Sequence, residues 1–393
     1  MGKEDFYDLP YYNVTKRLLL FTGTWPYQPR LIKVLIVAFI SLGEISFSLG
    51  QLIKAYEVRN NLDLIFETIS PPLSVYLIMS KFFNGVINEK KIKKLFEKVR
   101  QDFEECTDEE ELDIYKEFAL RGRKMALIYF YSIGTIVTAF CTMACISPVL
   151  DLIMPLNESR PRRNNFEAEL FIDQDKYFFS IWIWSSFLID LIGFILCAFD
   201  ILYLTQSNHC CSKFGAVENR LIRTFNKTYV NLNDVEVNDI IYEEFKTCIR
   251  MHQDALKFVK QIDDAFSSSL FFQLTSNLVI LSITGVQVIV NIDKPGDVIR
   301  FGGFAIGQII HLFFINLPGQ YIQDHSDRIL DFVCELEWYN TSQNTKNLLQ
   351  IFIMRCQKVC QLTAGKLVVM SMFTFSSFLQ TSISYFTVLS SLR

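Results

Sequence analysis

The last stretch of the 393-residue chain carries hydroxyl and amide side chains in a run that is otherwise apolar and uncharged between Lys366 and Arg393. Ser371, Thr374, Ser376, Ser377, Gln380, Thr381, Ser382, Ser384 and Thr387 recur along it. Such groups suit close packing between membrane helices, or they line water. The pattern alone leaves both uses open. Val388 and Leu392 lie four apart, so they share one helix face, with Thr387 and Ser391 on an adjacent stripe. Repeated about a symmetry axis, the two apolar side chains would form rings, and narrow apolar constrictions close channels by dewetting.

Other chemistry is thin. Cys356 and Cys360 are four apart and His209 precedes Cys210-Cys211, but the second pair of zinc ligands is missing. The sequence has no phosphate loop, nucleophile elbow or HExxH motif. An enzyme is therefore not expected, nor a cofactor. Glu44 and Asp190 fall inside apolar runs, where ionisable groups are costly and usually functional or paired. Asp200, nearer the end of such a run, suits a structural link.

The elements that must position these residues are membrane helices. The chain is 50% hydrophobic and 14% aromatic with mean hydropathy +0.24, rare for a soluble domain of this length. A net charge of −4 without a basic block argues against nucleic acid as a partner. The N-terminus has no signal-peptide core, so the first span is expected to direct insertion, and Phe6 breaks a myristoylation motif. The ten cysteines have no disulfide-framework spacing. Cys141, Cys145 and Cys197 read as small buried residues.

Seven apolar spans follow, at residues 31–53, 62–87, 125–150, 178–204, 266–292, 298–321 and 366–392. The last, about 40 Å long as a helix, is expected to be broken at Ala364-Gly365 from an amphipathic helix over residues 347–362. Lysine and arginine crowd the loops after spans two and four and the N-terminus. The positive-inside rule puts those segments in the cytoplasm and the C-terminus outside. A G-protein-coupled receptor has the opposite orientation, and DRY-like and NPxxY-like motifs are missing. A pseudo-symmetric transporter is disfavoured by the absence of an internal repeat. Residues 89–124 and 205–264 are charged and periodic, and read as helices extending spans two to five into a packed cytoplasmic layer.

At this level of detail the chain resembles an insect odorant receptor. The resemblance rests on Asp200-Ile-Leu with His209 and Phe214, on HQDALKFVKQIDDAFSSSLFFQL from His252, and on LPGQYIQDHSDRILDFVCELEWY ending at Tyr339. It continues through Arg355, Gln357, Lys358, Ala364-Gly365 and SYFTVL from Ser384. The sequence departs from the family at Val359, where proline is common, and at Gln380, where lysine is common. The resemblance implies an all-α membrane protein: a subunit of a ligand-gated, non-selective cation channel in the plasma membrane of olfactory sensory neurons. It implies a heterotetramer with a coreceptor around a pore built from the seventh helix. The loop at 205–264 lacks the coreceptor's enlargement, so the chain reads as an odour-tuned subunit. The runner-up readings are a seven-helix G-protein-coupled chemoreceptor and a gustatory-type ligand-gated channel.

The expected organisation is a cytoplasmic N-terminus (1–30), helices one to four with the pocket (31–204) and a cytoplasmic anchor (205–264). Helices five and six (265–321), a second anchor segment (322–364) and the pore helix (365–393) complete it. A small hydrophobic odorant should bind in the outer half of the bundle of helices two to six, by shape and apolar area with one or two hydrogen bonds. Candidates are Ser70, Tyr76 and Met79 on helix two, and Gly134, Thr135 and Thr138 on helix three. Helix four offers Trp182, Ser185 and Ile189, helix five Gln287, and helix six Phe301 and Phe304. Gln380, Ser384, Thr387, Val388, Ser391 and Leu392 are the pore and gate candidates, and the resemblance places Val388 and Leu392 at the gate. Asn157 is the one sequon expected outside the cell.

Overall fold

The structure is a computed structural model that describes residues 6–154, 160, 162, 164–226 and 235–391. After a short helix α1 (Asn13–Phe21), the first long helix is α2 (Arg30–Glu57). It leaves Leu31, Leu35, Phe39, Leu42, Ile45 and Leu49 exposed and buries Ile40, Glu44, Phe47 and Gln51. An uncovered apolar stripe at helical spacing suits a lipid-facing surface. Next come α3 (Leu62–Ile87), α4 (Glu89–Glu105) and α5 (Glu109–Met143). The Asp108 side chain caps α5 by accepting from the N–H groups of Glu110 and Glu111. A short α6 (Ile146–Ile153) precedes α7 (Phe178–Asn226), α8 (Val235–Val290) and α9 (Pro295–Glu335). The chain ends with α10 (Gln343–Cys356), a hairpin of β1 (Thr363–Ala364) and β2 (Val368–Val369), and α11 (Met372–Ser391).

Five helices, α2, α5, α7, α8 and α9, are long and apolar enough to cross a membrane. α3, with Glu67, Lys81 and two prolines, and α11, with its hydroxyls, complete a seven-helix bundle. At 1.5 Å per residue, the 49 residues of α7 and 56 of α8 reach roughly 74 and 84 Å, against a hydrocarbon core of ~30 Å. Both helices therefore run on well past the membrane at the end that carries the basic loops. α7 is the core of the bundle, packed against α3, α5, α8 and α9, and nearly every side chain from Ile195 to Val217 is buried. The run before Asp200 is almost wholly apolar, which suits the centre of a bundle, and the buried stretch after it also carries polar residues such as Asn208, His209 and Lys213.

Beyond the membrane, α4, α7 and α8 are joined by a buried charge cluster. Asp102 accepts from Lys213 at 2.6 Å and pairs with His209 at 2.8 Å, and Lys213 also reaches Asp254 at 2.5 Å. Burial pushes the Asp102 carboxyl up, but the hydrogen bonds and charge of His209 and Lys213 outweigh it and hold it below the usual carboxylate range. Burial lowers the His209 imidazole.

Three boundaries differ from the sequence-based expectation. The third span is not one helix over 125–150: α5 stops at Met143 and α6 starts at Ile146. A continuous helix would need an N–H at residue 148 to reach the carbonyl of Ala144, and Pro148 has none. The extension of span two is a separate helix, α4, set off at Asn88, whereas that of span three is continuous within α5.

The last break is larger than a helix interruption. β1 and β2 pair antiparallel, Thr363 with Val369 and Ala364 with Val368. Gly365 and Lys366 turn between them at φ of 62° and 60°, the left-handed region that a glycine enters freely. A Cβ at Gly365 would also lie 2.9 Å from the Phe271 ring. Lys366 is held there by ion pairs to Asp263 and Asp264 of α8. α11 therefore begins at Met372 and has 20 residues, about 30 Å, rather than about 40 Å from Lys366.

Candidate functional site

Between α3, α5, α7 and α9 lies a cavity of about 300 Å³ in the half of the bundle away from the basic loops. Its walls are mainly apolar: Val75 and Ile78 from α3, Ile133 and Ile136 from α5, Ile189 and Ile192 from α7, with Phe47 of α2 and Phe166 of the loop before α7. α9 presents Arg300, Gly303, Phe304, Gly307, Gln308 and His311 on one face. The glycines make room. A Cβ at Gly303 would meet nothing within 4 Å, and one at Gly307 would only touch Ile136 at 3.4 Å.

Polar groups close the two ends. At the inner end, His311 joins a buried network that ties five helices together. Lys81 of α3 lies 2.5 Å from Asp200 of α7 and 2.6 Å from His311 Nε2. The Tyr129 hydroxyl of α5 donates to Asp200 at 2.6 Å, and the Asn277 amide of α8 sits 2.8 Å from His311 Nδ1. The Lys81 and Asp200 side chains are 1% and 7% exposed. At the outer end, Arg300 pairs with Glu67 at 3.4 Å and donates to the Asn165 carbonyl at 2.6 Å. A second cavity of about 370 Å³, lined by Asn164, Asn165, Lys294 and Asp297, shares Phe140, Met143 and Arg300 with the first. The two cavities thus adjoin at these three side chains.

Of the pocket candidates, Thr135, Ile189 and Phe304 line the cavity. Tyr76 is 63% exposed on the outside of the bundle, and Gly134 and Thr138 also point outward. Ser70 and Met79 are buried away from the cavity, and the Ser70 hydroxyl donates to the Phe66 carbonyl. The Trp182 indole donates to the Cys141 carbonyl at 2.9 Å and Ser185 accepts from Asn165 at 3.1 Å, so both tie elements together beside the chamber. Gln287 is buried on α8, which supplies no lining residue, and Phe301 is buried beside Arg300. Residue reasoning passed over Lys81, Arg300, Gln308, His311 and the two glycines. The signal was present: polar residues at 300, 308 and 311 and glycines at 303 and 307 recur on one face of an apolar helix.

The intramembrane acids divide. Glu44 is buried, and its carboxyl oxygens have no hydrogen-bond partner among the described residues, whereas Asp190 faces outward. Asp200 is the structural link expected of it.

On α11, Phe378, Ser382 and Phe386 turn toward the bundle, and Phe386 packs on Gly285 of α8. Gln380, Ser384, Thr387 and Ser391 lie exposed along the opposite face, and Val388 beside them is 54% exposed. Each of the three hydroxyls donates to its own helix backbone. The start of α11 is clamped to α9: the Gln323 amide donates to the Met370 carbonyl, and Met372 N–H donates to the Gln320 side chain. A Cβ at Gly319 would come 2.2 Å from the Met370 carbonyl oxygen, so this approach requires glycine. Leu392 and Asn157 lie outside the described residues.

A family model described as 7tm Odorant receptor matches residues 61–383. The chain belongs to the odorant receptor family. The receptor shares its fold with OR5, an insect olfactory receptor from Machilis hrabei. Against the eugenol complex of OR5 the TM-score is 0.75, with 12% identity and 97% of each chain covered. Against a second structure of OR5 the TM-score is 0.70, with 12% identity and 98% of each chain covered. By sequence the receptor is 21% identical to Odorant receptor 13a of Drosophila melanogaster over 67% of this chain and 66% of that one. It is 23% identical to the Odorant receptor coreceptor of the same species over 39% of this chain and 32% of that one. The matched stretch thus spans no more than about two thirds of either relative. The family is one of multi-pass membrane receptors rather than enzymes, and membership disfavours a G-protein-coupled reading.

Proposed function

We propose that this receptor is an odour-tuned subunit of a ligand-gated, non-selective cation channel in the plasma membrane of olfactory sensory neurons. A small hydrophobic odorant occupies the chamber between α3, α5, α7 and α9. α11 contributes one wall of a central pore, with Val388 and Leu392 at its gate. The observation that carries this reading is the uncovered face of α11. The uncovered face of α2 is apolar, as lipid requires, but that of α11 mixes exposed Phe373, Ile383 and Tyr385 with a stripe of amide and hydroxyl groups, Gln380, Ser384, Thr387 and Ser391, beside Val388. A polar stripe on a membrane-crossing helix belongs against water or other polar surface.

The remaining subunits of the proposed heterotetramer are the coreceptor and further copies of this chain. α10 leaves Ile351 and Met354 uncovered outside the membrane-spanning part, which suits a subunit contact in the anchor layer. The solved relative OR5 holds eugenol, a small organic ligand, which fits a chamber of this size.

The orientation separates this reading from a G-protein-coupled one. An epitope appended after Arg393 should be labelled on intact cells, and one placed before Met1 only after permeabilisation. The reverse pattern would sink the channel reading in this form.

A further inference from the structure

We infer that the inner membrane edge of this receptor carries a binding surface for anionic phospholipid, made by Lys90, Lys91 and Lys94 at the start of α4. Two helices mark where the hydrocarbon ends. On α3, Phe83, Val86 and Ile87 are uncovered, and Ile87 is 79% exposed. On α2, Leu31, Ile32, Val34 and Leu35 are uncovered. Lys33, among them, forms an ion pair with Glu89, the first residue of α4. Uncovered apolar surface on membrane helices belongs in lipid. The start of α4 therefore stands where hydrocarbon gives way to headgroups. Along a helix, Lys90 and Lys94 lie no more than about 11 Å from Ile87. The headgroup layer on each side is roughly 5–8 Å deep, and a lysine stem can lie along apolar surface while its ammonium reaches that layer.

The protein leaves these charges uncompensated. Lys90, Lys91 and Lys94 are all exposed. Lys90 and Lys94 are four apart and share a helix face, and neither has a hydrogen bond or ion pair among the described residues. Lys91 donates one hydrogen to the Asp264 carbonyl at 2.9 Å and keeps two. The acids nearby are engaged: Glu89 with Lys33, Glu97 with Lys93, and Asp263 and Asp264 with Lys366. Like charges at this spacing repel, so the face calls for an anion from outside the chain. At headgroup depth that anion is the lipid phosphate. A zwitterionic headgroup brings its own cation, whereas a net-negative one, such as phosphatidylserine, adds charge that only the lysines answer. Each cation near the surface is worth about a fivefold preference for such lipid.

The test uses the full-length receptor purified with the coreceptor, in phosphatidylcholine liposomes holding a trace of photoreactive lipid. The reactive group sits on the acyl chain next to the headgroup, which is phosphatidylcholine in one probe and phosphatidylserine in the other. Both probes should label the segment from Phe83 to Lys94, read by mass spectrometry of this chain's peptides, and the serine probe should label it more. Lys90→Gln with Lys94→Gln should lower the serine-to-choline ratio about thirtyfold, and Lys90→Arg with Lys94→Arg should keep it. Arg250→Gln with Lys358→Gln removes the same charge from exposed positions elsewhere and should leave the ratio within about twofold. Unchanged labelling by the choline probe shows that a variant has folded and inserted. Equal labelling by the two probes in the wild type overturns the inference, as when an acidic stretch of the coreceptor covers the lysines. So does a ratio that survives the glutamine pair, or that falls as far in the distant pair. No labelling of this segment by either probe overturns its place at the lipid edge. If soluble glycerophosphoserine, which has no acyl chains, abolishes the serine preference, the surface takes a free phosphate ester and the lipid assignment fails.

Discussion

Gly303→Phe is expected to remove the response to ligand while the receptor still reaches the cell surface. Gly303 lies on the cavity face of α9, and a Cβ built there meets nothing within 4 Å. The phenylalanine ring can therefore enter open space without displacing backbone. Its seven side-chain carbons take roughly 200 Å³ at the density of liquid water, out of a chamber of about 300 Å³. A ligand that binds by apolar burial then loses most of its several kcal/mol, and the half-maximal concentration should rise by about a hundredfold or more. Gly303→Ala is the control. It adds one methyl to open space and should leave sensitivity within about threefold, with helix stability raised by up to about 1 kcal/mol. Unchanged sensitivity in Gly303→Phe, measured by dose–response with surface labelling, would remove the chamber from the account.

Lys81→Met should cost more than any change in the chamber wall. Lys81 and Asp200 are buried and 2.5 Å apart, and the same network reaches Tyr129, His311 and Asn277. Removing the ammonium leaves a buried carboxylate with the Tyr129 hydroxyl at 2.6 Å and His311 Nε2 at 3.4 Å as the neighbouring donors. Breaking one side of a buried pair costs about 3–5 kcal/mol, a large part of the ~5–15 kcal/mol that typically separates folded from unfolded. Surface expression should collapse and the detergent-extracted protein should melt at lower temperature. Asp200→Asn in the same chain removes the stranded charge and should recover a substantial part of the loss. A double variant no better than Lys81→Met would show that the pair is not what holds this layer together.

How much of this could be read from the residues depended on what each side chain had to distinguish. α7 was legible because an apolar run with few charges can only be a buried or membrane helix. The long extension of α8 was legible because charges and apolar residues alternate at helical spacing. The rotation of each membrane helix was not. One side of α3 or α5 meets protein and the other meets lipid, and both are apolar. Tyr76, Gly134 and Thr138 were accordingly assigned to the pocket although they face out, while Ile78, Ile133 and Ile136 line it. The chamber on α9 is made by missing side chains, Gly303 and Gly307, which a search for aromatic and hydroxyl contacts passes over. The Lys81–Asp200 pair was within reach. Each residue lies a few positions from the basic-loop end of its own span, so their depths match. The hairpin at 363–369 was marked only by Ala364-Gly365, since a turn of two left-handed residues with Lys366 at the second has no composition cue.

The central claim is that ligand in the chamber opens a pore faced by α11. Its most direct measurement is ligand-evoked current from the purified receptor–coreceptor complex in liposomes without G protein, with Val388→Cys exposed to a charged thiol reagent. Current should appear on adding ligand, and the reagent should modify Val388→Cys faster with ligand than without. It should alter the current only in that variant, the native cysteines of the wild-type complex serving as the reference. No ligand-evoked current in the liposomes, or a modification rate that ligand leaves unchanged, would contradict the account.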